Sequence, residues 1–144
     1  MIKESIYELT IKKLPYQLTV CQLSDIKDLN FKNDFYFFAK TDEELSLVCE
    51  TKNAPSKTIN REDGWRAFKI EGQLDFSLIG ILAKIAQLLA NNGISIFAVS
   101  TFNTDYVLVK DNNFDSAIKI LSKNNYELGI KGDIGIGKIA HHAH

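Results

Sequence analysis

Between Ile94 and Val109 the chain reads as two strands around a polar corner. Ile94 to Val99 and Tyr106 to Val109 are β-branched and aromatic runs of strand length. The corner, Ser100 to Asp105, packs hydroxyls, an amide and one carboxylate into six residues. Upstream, Ser77 to Asn91 carries Leu78, Ile81, Leu82, Ile85, Leu88 and Leu89 at helical spacing, a single apolar stripe. Asp75 or Ser77 can cap its start, and Asn92-Gly93 ends it. Downstream, Phe114, Ala117, Ile118 and Leu121 share one face of a second helix to Lys123, with Asn112 or Asn113 as cap. Trp65 to Ile70 precedes the first helix as a strand, Gly72 to Phe76 is a loop, and Tyr126 to Ile130 would be the closing strand. This order predicts an α+β, ferredoxin-like βαββαβ unit.

The first part of the chain reads almost wholly as strands: Tyr7 to Ile11, Leu18 to Leu23, Phe35 to Ala39 and Leu45 to Cys49. Pro15 stops the first. Asp25 to Phe31 is too short and mixed for a firm helix, Lys52 to Asn60 is a connector, and Gly64 ends the region. Phe37 to Thr41 matches Phe97 to Thr101 at an offset of sixty. After a one-residue gap, Leu45 to Val48 matches Tyr106 to Val109, so the chain carries two copies of one supersecondary unit. The expected division is a reduced, β-rich half over 1–62, the complete unit over 63–131, and a flexible tail over 132–144. Ile94 to Val99 is apolar at nearly every position, which predicts that both faces of this strand are partly covered. The first repeat or a second subunit is the expected cover.

Composition narrows the class. Hydrophobic content of 45% and charged content of 24% are those of a globular protein. A net charge of −1 argues against nucleic acid, which calls for a basic stripe. No apolar run approaches the length of a membrane span. Met1 to Ile6 lacks the pattern of a secretory signal, so a cytoplasmic location is expected. Cys21 and Cys49 sit in apolar runs and read as buried, reduced thiols.

Candidate chemistry is sparse. Gly80 falls in the first turn of a good helix, where glycine costs about 1 kcal/mol against alanine. Two readings stand level: close approach of a ligand carboxylate or phosphate to free helix amides, or tight helix–strand packing. Asp105 can hold an ammonium or guanidinium group, or cap its own turn. Thr101, Asn103 and Thr104 share that ambiguity, and Ser46 occupies the related place in the first repeat. His141, His142 and His144 lie in the last four residues and receive no role. Gly132, Gly135 and Gly137 precede no helix and have the wrong spacing for a dinucleotide fingerprint. No nucleophile–histidine pair or metal-ligand spacing is present, so no catalytic residue, metal or cofactor is assigned.

Gly64-Trp65-Arg66, Glu71-Gly72-x-Leu74-Asp75-Phe76-Ser77, Gly80-Ile81-Leu82 and Ile96-Phe97-Ala98-x-Ser100-Thr101-Phe102-x-Thr104-Asp105-Tyr106 resemble the ACT domain. The likeness is to the tandem ACT-like subgroup of the cytosolic arginine sensors. Thr41-x-x-Glu44-Leu45-Ser46-Leu47-Val48-Cys49 resembles that subgroup's reduced N-terminal half. The resemblance implies binding of an amino acid or similar small molecule between copies, and regulation of a protein partner. It implies that Gly80 and Ile81 present amides and an apolar wall, that Thr101 and Phe102 offer backbone groups, and that Asp105 faces the ligand's cation. Ser46 and Leu47 would close the other side, in a homodimer if one copy is insufficient. The alternative is a ligand-free dimerisation or protein-interaction module on the same sheet. An RNA-binding reading lacks its basic-aromatic signature.

Overall fold

The computed structural model describes residues 9–72, 80–124 and 127–128. They form two compact units: Tyr16–Arg66, and the described residues up to Pro15 together with those from Ala67 onward. In the first unit, β2 (Leu18–Leu23), β3 (Tyr36–Lys40), β4 (Leu45–Glu50) and the first half of β5 (Asn60–Gly72) lie in the order β3-β4-β2-β5. Every pairing is antiparallel. This is the strand order of a βαββαβ unit with both helices shrunk to single 3-10 turns, Ile26–Asp28 and Thr51–Asn53. The reason is local. Ser24 to Phe35 has no apolar stripe to lay on a sheet, and Asp25 turns the chain by accepting from the Lys27 amide at 3.0 Å. Leu29 and Ala54, from the two connectors, take the helices' place over Cys21, Leu23, Leu47 and Cys49.

Gly64 does not end a region. It lies inside β5 at φ 85°, where the register jumps. Leu18 faces Trp65 and Val20 faces Glu62, so Asp63 and Gly64 share the place opposite Thr19. This is a β-bulge whose extra residue needs a left-handed backbone. The bulge brings Asp63 Oδ1 within 2.7 Å of the buried Thr19 hydroxyl, which donates to it. The Thr19 oxygen then accepts from the Thr51 hydroxyl at 2.9 Å. Thr19 is thereby satisfied as donor and as acceptor, as a buried hydroxyl must be.

Cys21 and Cys49 are free and buried. Cys21 faces Leu47 and Thr19 faces Cys49, so the two thiols are diagonal neighbours on one face. Burial raises both above the ordinary thiol value, and Cys49, with Cys21 diagonal to it, is pushed up to about 12.

In the second unit the rest of β5 pairs antiparallel with β1 (Leu9–Lys13), from Leu9 facing Gly72 to Lys13 facing Phe68. β7 (Asp105–Lys110) pairs with both β5 and β6 (Phe97–Ser100). β8 (Glu127–Leu128) runs parallel to β1. The order β6-β7-β5-β1-β8 is ferredoxin-like, with one departure: β1 stands between the first and last strands of the βαββαβ unit. So the strand expected to open the N-terminal half belongs here, and the boundary expected between 62 and 63 falls inside β5. The cause is burial. Ile11 is 0% exposed in the core of Phe68 and Ile70, while Lys12 points away and pairs with Glu71 at 3.6 Å.

Helix α1 (Ile81–Asn91) buries Ile81, Ile85 and Leu89, with Leu82 and Leu88 at the margin. It begins at Ile81 rather than Ser77. Residues 73–79, with the proposed caps Asp75 and Ser77, lie outside the described residues. Its end is tied by Gly93 N to Ala90 O at 3.0 Å and Ile94 N to Leu89 O at 2.9 Å. That second bond holds Ile94 in the helical core and shortens β6. Ile96 packs against the same core, Ala98 is exposed, and Phe97 and Val99 are half-buried. Helix α2 (Asp111–Lys123) buries the four predicted residues Phe114, Ala117, Ile118 and Leu121. It starts directly from β7, so Asn112 and Asn113 sit inside its first turn and are not caps. The tail over 132–144, the histidines and the flanks of β8 lie outside the described residues.

Two expectations follow from the first unit. Gly64→Ala should lower stability by about 1–2 kcal/mol, because its φ is hostile to a Cβ; the urea midpoint measures it. The second concerns alkaline pH. An unfolded chain releases the Cys49 proton near 9.0 while the folded chain holds it to about 12. Above pH 9 the unfolded state therefore binds fewer protons, and stability should fall progressively to about pH 12. Cys49→Ala should flatten that slope in urea melts taken across the window.

Candidate functional site

A cleft of about 160 Å³ opens where the β6–β7 hairpin meets the start of α1. Ile70, near the end of β5, and Ile81, the first residue of α1, form its apolar wall. Thr101 to Asp105 form the polar side, and Asp105 is the one ionisable residue of the lining.

The hairpin is closed by its backbone. Thr101 N donates to Thr104 O at 2.8 Å, and the Thr101 hydroxyl donates to the same oxygen at 3.2 Å. Ser100 faces Asp105 as the last pair of the ladder, and its hydroxyl donates to Asp105 Oδ1 at 2.6 Å. Phe102, at the tip, is fully exposed. The β3–β4 hairpin of the first unit is built alike. Thr41 N donates to Glu44 O at 3.0 Å, and Lys40 faces Leu45. Phe37 faces Val48 as Phe97 faces Leu108, so the offset of sixty holds without the expected gap. The first repeat therefore has Leu45, not Ser46, at the place of Asp105.

Gly80 precedes the helix instead of lying in its first turn. It takes φ 82°, and its carbonyl accepts from Lys84 N at 2.9 Å. A Cβ there would meet nothing within 4 Å. The close-packing reading is therefore set aside: glycine is there for a left-handed backbone. Among the described residues the α1 start has no side-chain cap, and its first amides carry the positive end of the helix on the side of Ile81.

Of the residues singled out from the sequence, Ile81, Thr101, Phe102 and Asp105 meet at the cleft, and Gly80 adjoins it. Ser46 and Leu47 lie on β4 in the other unit, and the Leu47 side chain is consumed by that unit's core. Asn103 and Thr104, ambiguous in the sequence, line the cleft; Ile70 and the role of Ser100 were missed. The signal for Ser100 was there: two residues flanking a four-residue turn must face each other. Among the described residues no three His, Cys, Asp or Glu side chains gather to hold a metal ion, and no helix is long and apolar enough to cross a membrane.

Residues 60–123 match the ACT domain family model. The chain is 35% identical over 102 residues to the bovine (Bos taurus) cytosolic arginine sensor for mTORC1 subunit 1, a match covering 66% of this chain and 31% of the sensor. It thus spans about a third of that relative's length. Among solved structures, protein Atu0741 of Agrobacterium tumefaciens superposes with a TM-score of 0.74 at 28% identity, over 95% of this chain and 98% of that one. The aspartate kinase of Clostridium acetobutylicum, described as an allosteric enzyme, shares the fold at a TM-score of 0.60 and 16% identity, over 80% of this chain and 34% of the kinase.

Gly80→Ala separates backbone strain from packing. The expected cost is about 1 kcal/mol, from φ alone, read as a shift in the urea midpoint. A loss of several kcal/mol would mean that the added methyl collides.

Proposed function

An ACT domain spans residues 60–123 of the chain, and from that premise we propose that the protein is a non-catalytic regulatory protein that binds a free amino acid in the cleft beside Ile81 and Asp105. One observation supports the reading: Ile81, the first residue of α1, and Asp105, the one carboxylate of the lining, border the same small space. A free amino acid carries the complementary pair of charges. Its carboxylate suits the positive end of a helix, and its ammonium or a cationic side chain suits Asp105. The volume is in keeping, since a cavity of about 150 Å³ accepts a molecule the size of benzene. Ile70 and Ile81 offer contact to an aliphatic chain. The curated relatives are named for arginine; the charges here suit cationic and neutral amino acids alike and disfavour acidic ones. A cytoplasmic location and a regulated protein partner belong to the same proposal.

A second reading, a ligand-free protein-interaction module, is favoured by Phe102, whose ring lies wholly in solvent at the hairpin tip.

Thermal denaturation with each of the twenty free L-amino acids tests the choice. A ligand at about 100-fold its Kd adds about 2.7 kcal/mol of stability, enough to raise Tm by several degrees. Asp105→Asn should abolish the rise. If none of the twenty moves Tm, the amino-acid reading fails and the interaction module stands.

A further inference from the structure

Resting on that reading of the cleft, we infer that Ser100 is the positioning residue of the site: its hydroxyl holds the Asp105 carboxylate in its binding orientation before any ligand arrives. An ionised carboxylate only accepts, so the serine must donate. The 2.6 Å separation lies in the range of a charge-assisted O–H···O⁻ bond. Among the described residues Ser100 is the hydrogen-bond partner of Asp105, and it engages Oδ1, leaving Oδ2 for a cation. The bond does not serve the core, because Ser100 is exposed and Asp105 is half-exposed.

The molecule contains its own control. The first repeat has the same four-residue turn, closed by the same threonine backbone bond, with Lys40 and Leu45 at the places of Ser100 and Asp105. That turn closes with no side-chain bond between the facing pair. Its Thr41 hydroxyl instead accepts from Glu43 N and Glu44 N at 3.1 Å, so this hairpin register does not require a bond between the facing side chains. The Ser100–Asp105 bond accompanies the cleft, and its effect is to remove the rotamer freedom that an unheld aspartate would lose on binding.

The test is calorimetric titration of the full chain with each of the twenty L-amino acids, for the wild type and for Ser100→Ala, Ser100→Thr and Asp105→Asn. Ser100→Ala should weaken binding about tenfold with Tm unchanged to within a degree or so, the loss expected for one charge-assisted bond. Ser100→Thr keeps the hydroxyl and should restore near wild-type affinity, which a simple packing role for the serine would not predict. The side-chain carboxyl ¹³C resonance of Asp105 reads the bond without ligand and should move in Ser100→Ala but not in Ser100→Thr. Wild-type affinity in Ser100→Ala, alongside loss in Asp105→Asn, would overturn the role of Ser100 and leave the cleft reading intact. A wild type that binds none of the twenty, or an Asp105→Asn variant that binds as well as wild type, would remove the reading and this inference with it.

Discussion

Strand β5 carries two obligations in thirteen residues. Its first half closes one βαββαβ ladder against β2, and its second half opens another between β1 and β7. The bulge at Gly64 lies within the first ladder, between Glu62 opposite Val20 and Trp65 opposite Leu18. Downstream, Phe68 and Ile70 meet the helices; upstream, Asp63 reaches Thr19.

The two repeats show what a shared topology leaves free. Strand order and hairpin register are common to both, because backbone pairing and alternation set them. The layer over the sheet differs. Where the connectors carry a full apolar stripe, α1 and α2 bury Ile81, Ile85, Leu89, Phe114, Ala117, Ile118 and Leu121. Where they carry one apolar residue each for the purpose, Leu29 and Ala54 cover a smaller core that includes the thiol pair. Buried and held protonated, those cysteines are poor nucleophiles and behave as small apolar side chains.

The site is a consequence of the full repeat. The cleft needs a helix that starts beside the hairpin, and only a stripe of Ile81, Ile85 and Leu89 holds one there. It also needs an acid at the neck of the turn. The first repeat lacks both, having a single 3-10 turn and Leu45. A shared hairpin thus provides the frame, and the side chains at two facing positions decide whether it carries an acid.

Periodicity alone was enough to determine the two helices, the hairpin and the repeat, since spacings of 3.6 and 2 follow from backbone geometry and from the need to bury one face. The corner residues Thr101, Phe102 and Asp105 were legible because they break an apolar run. Four matters were decided only in three dimensions. β1 joined the second unit because Ile11 fills a core made by residues far away in the chain. Gly64 and Gly80 took positive φ, which a sequence does not display. The repeat proved gapless once register, not residue likeness, matched the strands. Ser100 found Asp105 because facing across a ladder depends on the register of the turn between them rather than on which residues are near in the chain.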